Sequence, residues 1–168
     1  MIVPNVTFKV REPVEDGFDW AYPTSNDYFA GKRVVVFSLP GAFTPTCSNF
    51  QVPGFDALYP DICNKNVDDV YCISVNDSFV MNAWAKDQGV RNLTLIPDGS
   101  GEFTEGMGML VRKDNLGFGA RSWRYAMVVN DGVVEKLFVE PGKEDDCATD
   151  PYGETSPERV LDFLEWDV

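Results

Sequence analysis

One cysteine of this sequence stands at a predicted helix start, directly after a strand-like run and a short apolar loop. The segment reads "RVVVFSLPGAFTPTCSNF" and places Cys47 three residues after Thr44. A residue before proline is driven out of the α region, threonine is a good helix cap, and proline is favoured at the first helical position. The spacing therefore predicts a helix that is capped by Thr44 and has Cys47 as its third residue.

This position favours an ionised thiol at Cys47. The first turn of a helix presents backbone N–H groups without intrahelical partners, and it carries the positive end of the helix dipole. We expect these groups to stabilise the thiolate, and we expect the Thr44 hydroxyl to hydrogen-bond either the Cys47 N–H or its sulfur. The apolar loop "LPGAF", which contains Pro40, should shield the thiolate from bulk water. The alternative is a buried, inert cysteine at a helix start.

The sequence contains no histidine, so a reactive thiol must be activated without an imidazole. Serine and cysteine hydrolases that use a histidine base are thereby excluded. The four cysteines stand at 47, 63, 72 and 147 and form no CxxC pair. This irregular spacing argues against a disulfide framework and against a zinc ribbon, and we predict neither a metal nor a cofactor.

Length and charge exclude further classes of function. The 168 residues are 44% hydrophobic and 13% aromatic, which predicts a single domain over 1–168 with a substantial core. A net charge of −13 opposes binding to nucleic acid. The sequence shows neither a signal peptide nor an apolar run of about 18 residues, so we expect a cytoplasmic protein without a membrane segment.

The elements that must position Cys47 alternate between strands and helices. Core strands are predicted at 32–38 and within "DDVYCISVN" and "NLTLIPD", with intervening helices, and Pro53-Gly54 should kink or break the Cys47 helix. This order implies parallel pairing. "WRYAMVV", "NDG" and "VVEKLFVE" predict an antiparallel hairpin, and "SPERVLDFLEWDV" predicts a closing helix capped by Ser156. With strands at 5–11 and 18–24, the expected fold is α/β and thioredoxin-like: a mixed central sheet, flanking helices and an added N-terminal hairpin.

The segment around Cys47 resembles the active-site signature of the peroxiredoxins. That signature is a proline, three residues, a threonine or serine, two residues and a cysteine, here Pro40, Thr44 and Cys47. The form "PGAFTPTCS" is similar to the five-type subfamily, called type II in plants. The likeness continues in "ISVNDSFVMNAW", "LIPDGSGEFTEGMGM" and "NLGFGARSWRYAMVVNDGVVE".

The resemblance implies a thiol peroxidase that reduces hydrogen peroxide and alkyl hydroperoxides. Cys47 would be the peroxidatic cysteine that becomes a sulfenic acid, Thr44 would orient the peroxide, and Pro40 would shield the site. Arg124 matches the essential arginine of the family, and arginine suits this role because it is always charged and carries several donors. Arg121 matches no required position and is predicted to be a surface charge. Gln51 stands where many relatives carry a histidine.

The route by which Cys47 is reduced again stays open. Cys72 lies where plant relatives carry a second cysteine, but a buried core thiol is the favoured interpretation. Cys147 lies where animal relatives place a resolving cysteine, yet five carboxylates surround it in sequence. Cys63 is interpreted as structural. No glutaredoxin motif is present, so we expect glutathione with glutaredoxin, or thioredoxin, as the external reductant.

Two other functions compete with the peroxidase. A dithiol oxidoreductase of thioredoxin type would need a second cysteine where Thr44 stands, and a redox sensor or holdase would use the sulfenic acid of Cys47 without turnover. Relatives form homodimers, and Leu116 and Phe118 in "NLGFG" resemble part of that contact. We therefore expect a homodimer.

Overall fold

Strands and helices alternate through the first two thirds of the computed structural model, which describes residues 1–166. The strands are β1 (Val10–Val14), β2 (Gly17–Ala21), β3 (Arg33–Leu39), β4 (Asp69–Ser74), β5 (Thr94–Pro97), β6 (Leu110–Arg112), β7 (Ala120–Ser122), β8 (Tyr125–Asn130) and β9 (Val133–Val139). The helices are α1 (Ser25–Phe29), α2 (Val52–Cys63), α3 (Ser78–Gln88), α4 (Glu102–Gly106) and α5 (Pro157–Trp166). None of the helices in this part of the chain is long and apolar enough to cross a bilayer.

The central sheet has five strands in the order β5-β4-β3-β8-β9. β3, β4 and β5 are parallel, whereas β8 pairs antiparallel with both β3 and β9. The mixed sheet, the parallel crossovers and the antiparallel hairpin predicted from the sequence are confirmed. Residues 34–39 of β3 are all buried, as expected for a central strand covered on both faces.

Two apolar layers cover the two faces of this sheet. Val34 and Val36 of β3 pack in one layer, and Val35 and Phe37 pack in the other, because successive side chains point to opposite faces. The second layer also contains α2, whose Phe55 ring stacks on Phe37 with ring centroids 4.0 Å apart. Cys47 belongs to this second layer.

Hydrogen bonds and backbone angles fix the helix starts, and they confirm the predicted Ser156 cap and the hairpin turn between β8 and β9. Thr24 forms a capping box with Asp27 at α1, and Asp77 accepts from the Val80 N–H at α3. The Ser156 hydroxyl accepts from the Arg159 N–H at 3.3 Å at α5. Between β8 and β9, Asp131 and Gly132 have φ of 48° and 78°, the pattern of a two-residue hairpin turn. The predicted end of α5, residues 167–168, lies outside the described residues.

The N-terminal hairpin exists, and its pairing overlaps the predicted strands 5–11 and 18–24, but the regular strand β1 begins only at Val10 and extends to Val14. The two-residue turn Glu15-Asp16 starts after Val14, and Gly17 supplies a φ of +119°. Before β1 the pairing continues only as an isolated antiparallel bridge between Thr7 and Thr24, and the Phe8 N–H donates to the Pro23 carbonyl at 2.8 Å. Val6 and Phe8 of this segment pack in the first core layer. Helix α4 and the β6–β7 hairpin were not anticipated.

Pro53-Gly54 does not break the helix that carries Cys47. Helical backbone runs from Pro45 to Cys63, and the irregularity is a π-helical segment, Cys47–Gln51. The Val52 N–H donates to the Cys47 carbonyl, five residues back, just before Pro53, which has no N–H to donate. The wider π-helical turn thus keeps the backbone helical at the position where Pro53 lacks an N–H donor. Gly54 allows α5 to approach, because a Cβ there would lie 3.1 Å from the Pro157 ring.

A buried carboxylate fixes the loop between β9 and α5. Glu140 is 2% exposed and accepts hydrogen bonds from the N–H groups of Gly153, Glu154 and Thr155, and from the Thr155 hydroxyl at 2.7 Å. Buried polar groups are stable only when paired in this way. Glu140 therefore fixes the conformation of the loop formed by residues 140–155.

Replacing Glu140 by alanine should destabilise the protein by on the order of 3 kcal/mol, because several buried N–H groups would lose their acceptor together. The measurement is the free energy of unfolding from urea titration. Glu144→Ala, at an exposed carboxylate of the same loop, is the matched control and should change it by less than about 0.5 kcal/mol. Equal effects of the two substitutions would contradict a clamping role for Glu140.

Candidate active site

Cys47 lies at the start of the helix, as predicted, and its side chain is fully buried. Helical backbone begins at Pro45, and the first helical hydrogen bond joins the Ser48 N–H to the Thr44 carbonyl at 2.9 Å. Thr44 therefore occupies the cap position. The sulfur lies at the positive end of a helix, in an apolar layer and out of contact with solvent.

The Thr44 hydroxyl does not make the predicted bond to the Cys47 N–H or sulfur. It donates to the Gly41 carbonyl at 2.7 Å, within a tight turn that also brings the Thr44 N–H to the same oxygen at 3.4 Å. Phe43 has a φ of 66° in this turn, a left-handed conformation that is costly for a bulky residue. The turn satisfies the hydroxyl hydrogen and leaves the lone pairs of the Thr44 oxygen for an incoming O–H group.

Arg124 is the positive group at the sulfur. It directly precedes β8, is 1% exposed, and places Nη1 3.4 Å from Cys47 Sγ. Nη2 donates to both carboxylate oxygens of Asp150, at 2.7 and 2.8 Å. Burial lowers the pKa of Arg124, but the Cys47 sulfur and the Asp150 carboxylate outweigh it and raise that pKa above its ordinary value. The guanidinium is therefore a permanent, fixed cation beside the thiol.

Gln51 is the second partner of Arg124 Nη1, the nitrogen that also contacts the Cys47 sulfur. Its amide oxygen accepts from Arg124 Nη1, and its amide nitrogen donates to the Thr155 hydroxyl at 3.5 Å. That hydroxyl in turn donates to Glu140, so the polar chain runs from the sulfur to the clamp of the β9–α5 loop. Gln51 is fully buried, and as an amide it positions the arginine without adding a charge.

Arg121 is not the surface charge that we predicted. It is half-buried, its Nη1 donates to the Pro40 carbonyl at 3.0 Å, and its guanidinium carbon lies 4.9 Å from the Phe118 ring centroid. Burial lowers the pKa of Arg121, whereas the nearby Cys47 raises it. A Cβ on Gly41 would lie 2.1 Å from Arg121 Nη1, so this glycine makes room for the contact. Arg121 thus holds the Pro40 and Gly41 backbone that leads into the Cys47 helix.

A cavity of about 330 Å³ opens beside the Cys47 turn. Pro40, Thr44 and Pro45 form one wall, and Asp150 reaches the cavity from the opposite loop. The remaining lining residues come from the β6–β7 connection and from the loop after β9: Lys113, Asn115, Leu116, Phe118, Cys147, Ala148 and Thr149. Pro40 itself is buried.

The other three cysteines are unpaired thiols in different surroundings. Cys72 is fully buried in the same layer as Cys47, and burial raises its pKa well above the ordinary value. Cys63 ends α2, and burial raises its pKa as well. Cys147 is half-buried in the cavity wall, with Sγ 3.7 Å from the Thr149 hydroxyl. The carboxylates of Glu140 and Asp150, close to Cys147 in sequence, are engaged with other partners.

Several residues of this site could not be found by sequence reasoning. In the sequence, Asp150 and Glu140 are only two of the five carboxylates near Cys147. Tyr152, whose ring centroid lies 5.6 Å from the Arg124 guanidinium carbon, and Thr155 carry no motif at all. In the sequence, Gln51 stands out only as a departure from the usual histidine. The structure shows that its partner is Arg124.

Comparison with known proteins agrees with this geometry. Residues 21–152 match the Redoxin family. A peroxiredoxin of Rhizobium etli is 60% identical over 97% of this chain and 94% of its own length. The chloroplastic peroxiredoxin-2E of Arabidopsis thaliana is 47% identical over 71% of this chain and 52% of its own length.

The solved structures confirm the predicted thioredoxin-like fold. The antioxidant protein of Plasmodium falciparum, a 1-Cys peroxiredoxin, superimposes with a TM-score of 0.93 at 33% identity and covers 98% of both chains. Thr44 stands where a dithiol oxidoreductase of thioredoxin type would require its other cysteine. The chain belongs to the peroxiredoxins, thiol peroxidases of the Redoxin family, and within them to the five-type subfamily called type II in plants.

Proposed function

We propose that Cys47 is the peroxidatic cysteine and that the enzyme reduces hydrogen peroxide and small organic hydroperoxides through a sulfenic acid. The observation that carries this proposal is the contact of 3.4 Å between Arg124 Nη1 and the buried Cys47 sulfur. The sulfur is the nucleophile, and a fixed cation at this distance stabilises its anionic form. No histidine is needed for the activation.

The chemical step follows from the groups around the sulfur. The thiolate attacks the terminal oxygen of the peroxide, an S–O bond forms, and the O–O bond breaks. The departing oxygen takes a proton and leaves as water or an alcohol, while the sulfur becomes a sulfenic acid. Thr44 accepts from the peroxide O–H, Arg124 stabilises the negative charge that shifts between sulfur and oxygen, and Pro40 keeps bulk water away.

For recycling, we favour one cysteine and an external thiol. The sulfenic acid is attacked by a reductant thiol, water leaves, and a second reductant thiol releases Cys47. Glutathione with glutaredoxin, or thioredoxin, supplies these thiols. Two observations support the one-cysteine route: Cys72 is fully buried and held as a thiol, and the Plasmodium falciparum relative is a 1-Cys peroxiredoxin.

Cys147 is the residue that would support a two-cysteine route. It shares the wall of the cavity with Pro40, Thr44 and Pro45, on the side where a sulfenic acid of Cys47 would be approached. A Cys147 thiol attacking that sulfenic acid would form a disulfide and release water. This alternative requires the loop between β9 and α5 to move, against the hydrogen bonds that Glu140 and Asp150 make.

The proposal includes an antioxidant role in a reducing compartment. Turnover consumes two thiols for each peroxide, so we place the protein in the cytoplasm, where such thiols are kept reduced. We also propose a homodimer. Leu116 is 56% exposed at the rim of the cavity, and Phe118 lies next to it, which suits a contact between two copies.

Replacing Cys47 by serine should abolish peroxide consumption, because the hydroxyl lacks the nucleophilicity of a thiolate. The measurement is the rate of hydrogen peroxide loss with a glutathione and glutaredoxin system or with a thioredoxin system. Cys63→Ser is the matched control and should retain the wild-type rate. A Cys47→Ser protein with undiminished turnover would refute the assignment, and a wild type that consumes a single equivalent without cycling would indicate a redox sensor.

One equivalent of hydrogen peroxide should leave Cys47 as a sulfenic acid and leave Cys72 unmodified. The raised pKa keeps Cys72 protonated at neutral pH, and its ionised fraction should increase only as the pH approaches that raised value. Intact mass spectrometry followed by peptide mapping distinguishes the products. A disulfide of Cys47 with Cys72 or with Cys147 would contradict the one-cysteine route, and iodoacetamide labelling of Cys72 in the folded protein at pH 7 would contradict its protection.

A further inference from the structure

Lys113 is a buried cation without an anionic partner. The residue is 3% exposed, and its Nζ lies 5.5 Å from the centroid of the Trp123 ring. Within residues 1–166 this ammonium group makes neither a hydrogen bond nor an ion pair with any side chain or carbonyl. A buried charge is costly unless it is paired, and a ring face compensates only part of that cost. A negatively charged group that enters the cavity would supply this partner.

The side chain lies in the wall of the cavity beside the Cys47 turn. Lys113 shares this wall with Thr44, which is three residues from Cys47. Asp150 is the acidic residue of the lining, and both of its oxygens are already bonded to Arg124. Lys113 Nζ is not among the fully enclosed polar atoms, so a molecule inside the cavity that this residue lines can reach its charge.

The other residues that line the cavity indicate which kind of molecule it would bind. Apolar side chains dominate it: Pro40, Pro45, Leu116 and Phe118. A volume of about 330 Å³ lies at the lower end of the range for small-molecule sites, which is about 300–1,000 Å³. Apolar walls with one unpaired cation fit a short hydrocarbon chain that ends in a carboxylate.

We propose that this cavity binds the tail of a carboxylate-bearing alkyl hydroperoxide, with Lys113 pairing with the carboxylate while the peroxide group reaches Cys47 past Thr44. The inference rests on the proposed peroxidase chemistry of Cys47 and adds the substrate class. The Cys47 thiolate takes the terminal oxygen, the O–O bond breaks, and the hydroxy acid leaves after its alkoxide oxygen gains a proton. Sulfur is oxidised and the peroxide is reduced, so no further reactant is required in this step.

The test compares a hydroperoxide of hexanoic acid with its methyl ester, which differ in the charge at the tail. Single-turnover oxidation of Cys47 without reductant is followed by tryptophan fluorescence, since Trp84 Nε1 donates to the Ser48 hydroxyl next to the sulfur. In the wild type the acid should react about tenfold faster than the ester, the size expected for a hydrogen bond between charged groups. Lys113→Met keeps the packing on Trp123 and should bring the ratio of the two rates close to one.

Lys136→Met is the matched control. Lys136 is an exposed lysine that also lies 5.5 Å from an aromatic ring, that of Phe138, and its removal should leave the ratio at the wild-type value. If Lys113→Met does not fold, as judged by circular dichroism, hexanoate serves as a competitor of the acid in the wild type. It should slow oxidation by the acid, and methyl hexanoate at the same concentration should not.

The proposal is overturned by a wild-type ratio near one, by a ratio that survives in Lys113→Met, or by hexanoate without effect. If the acid-to-ester ratio is unchanged in Lys113→Met, and glutathione reduces the oxidised variant more slowly than oxidised wild type, the lysine would instead bind the carboxylates of the reductant. Oxidation of wild-type Cys47 by hydrogen peroxide is measured alongside. Its absence would indicate that the peroxidase assignment itself had failed, and not the assignment of the tail site.

Discussion

The contact between the Arg124 guanidinium and the Cys47 sulfur is the interaction on which the rest of this site depends. A thiol buried in an apolar layer would normally be inert, because burial disfavours its charged form. Here a cation that cannot lose its proton lies 3.4 Å away, at the end of a helix whose dipole also favours an anion. Burial then strengthens the attraction by excluding water. In the proposed mechanism, a protein without histidine thereby keeps a reactive sulfur inside its core.

The arginine needs support of its own, because a guanidinium that is 1% exposed is costly to bury unless its donors are paired. Among the described residues its two terminal nitrogens have partners, whereas Nε has none. Gln51 and Asp150 provide that support from two elements far apart in sequence, the π-helical segment and the loop after β9. Glu140 fixes this loop by three backbone N–H groups and one hydroxyl. Loop stability and catalytic geometry are therefore linked, and a substitution that loosens the loop should also move the arginine.

The local parts of this structure could be predicted from the sequence, and the remote ones could not. The cap position of Thr44, the burial of β3 on both faces and the Asp131-Gly132 turn follow from neighbouring residues. Arg124 was identified through the family resemblance, since nothing in its own segment points to Cys47.

The failures have physical causes that lie in tertiary contacts. The Thr44 hydroxyl donates to the Gly41 carbonyl because the tight turn before the helix places that oxygen within hydrogen-bond distance. The rule for helix caps considers only the N–H groups of the first turn and does not anticipate this contact. Arg121 was expected at the surface, but the fold places the Pro40 carbonyl within its reach. The unpaired state of Lys113 could not be inferred either, since the cavity is assembled from segments that are distant in the chain.

The central claim is that the Arg124 cation makes the buried sulfur reactive, and single-turnover kinetics of Arg124→Met test it most directly. The side chain of methionine fills much of the same apolar space without charge. The account predicts that the second-order rate constant for oxidation of Cys47 by hydrogen peroxide falls by about 10²–10³-fold, as for the loss of a preorganised electrostatic donor. A folded Arg124→Met protein whose rate constant stays within about threefold of wild type would contradict the account, because a loss that small lies far below that expected for such a donor.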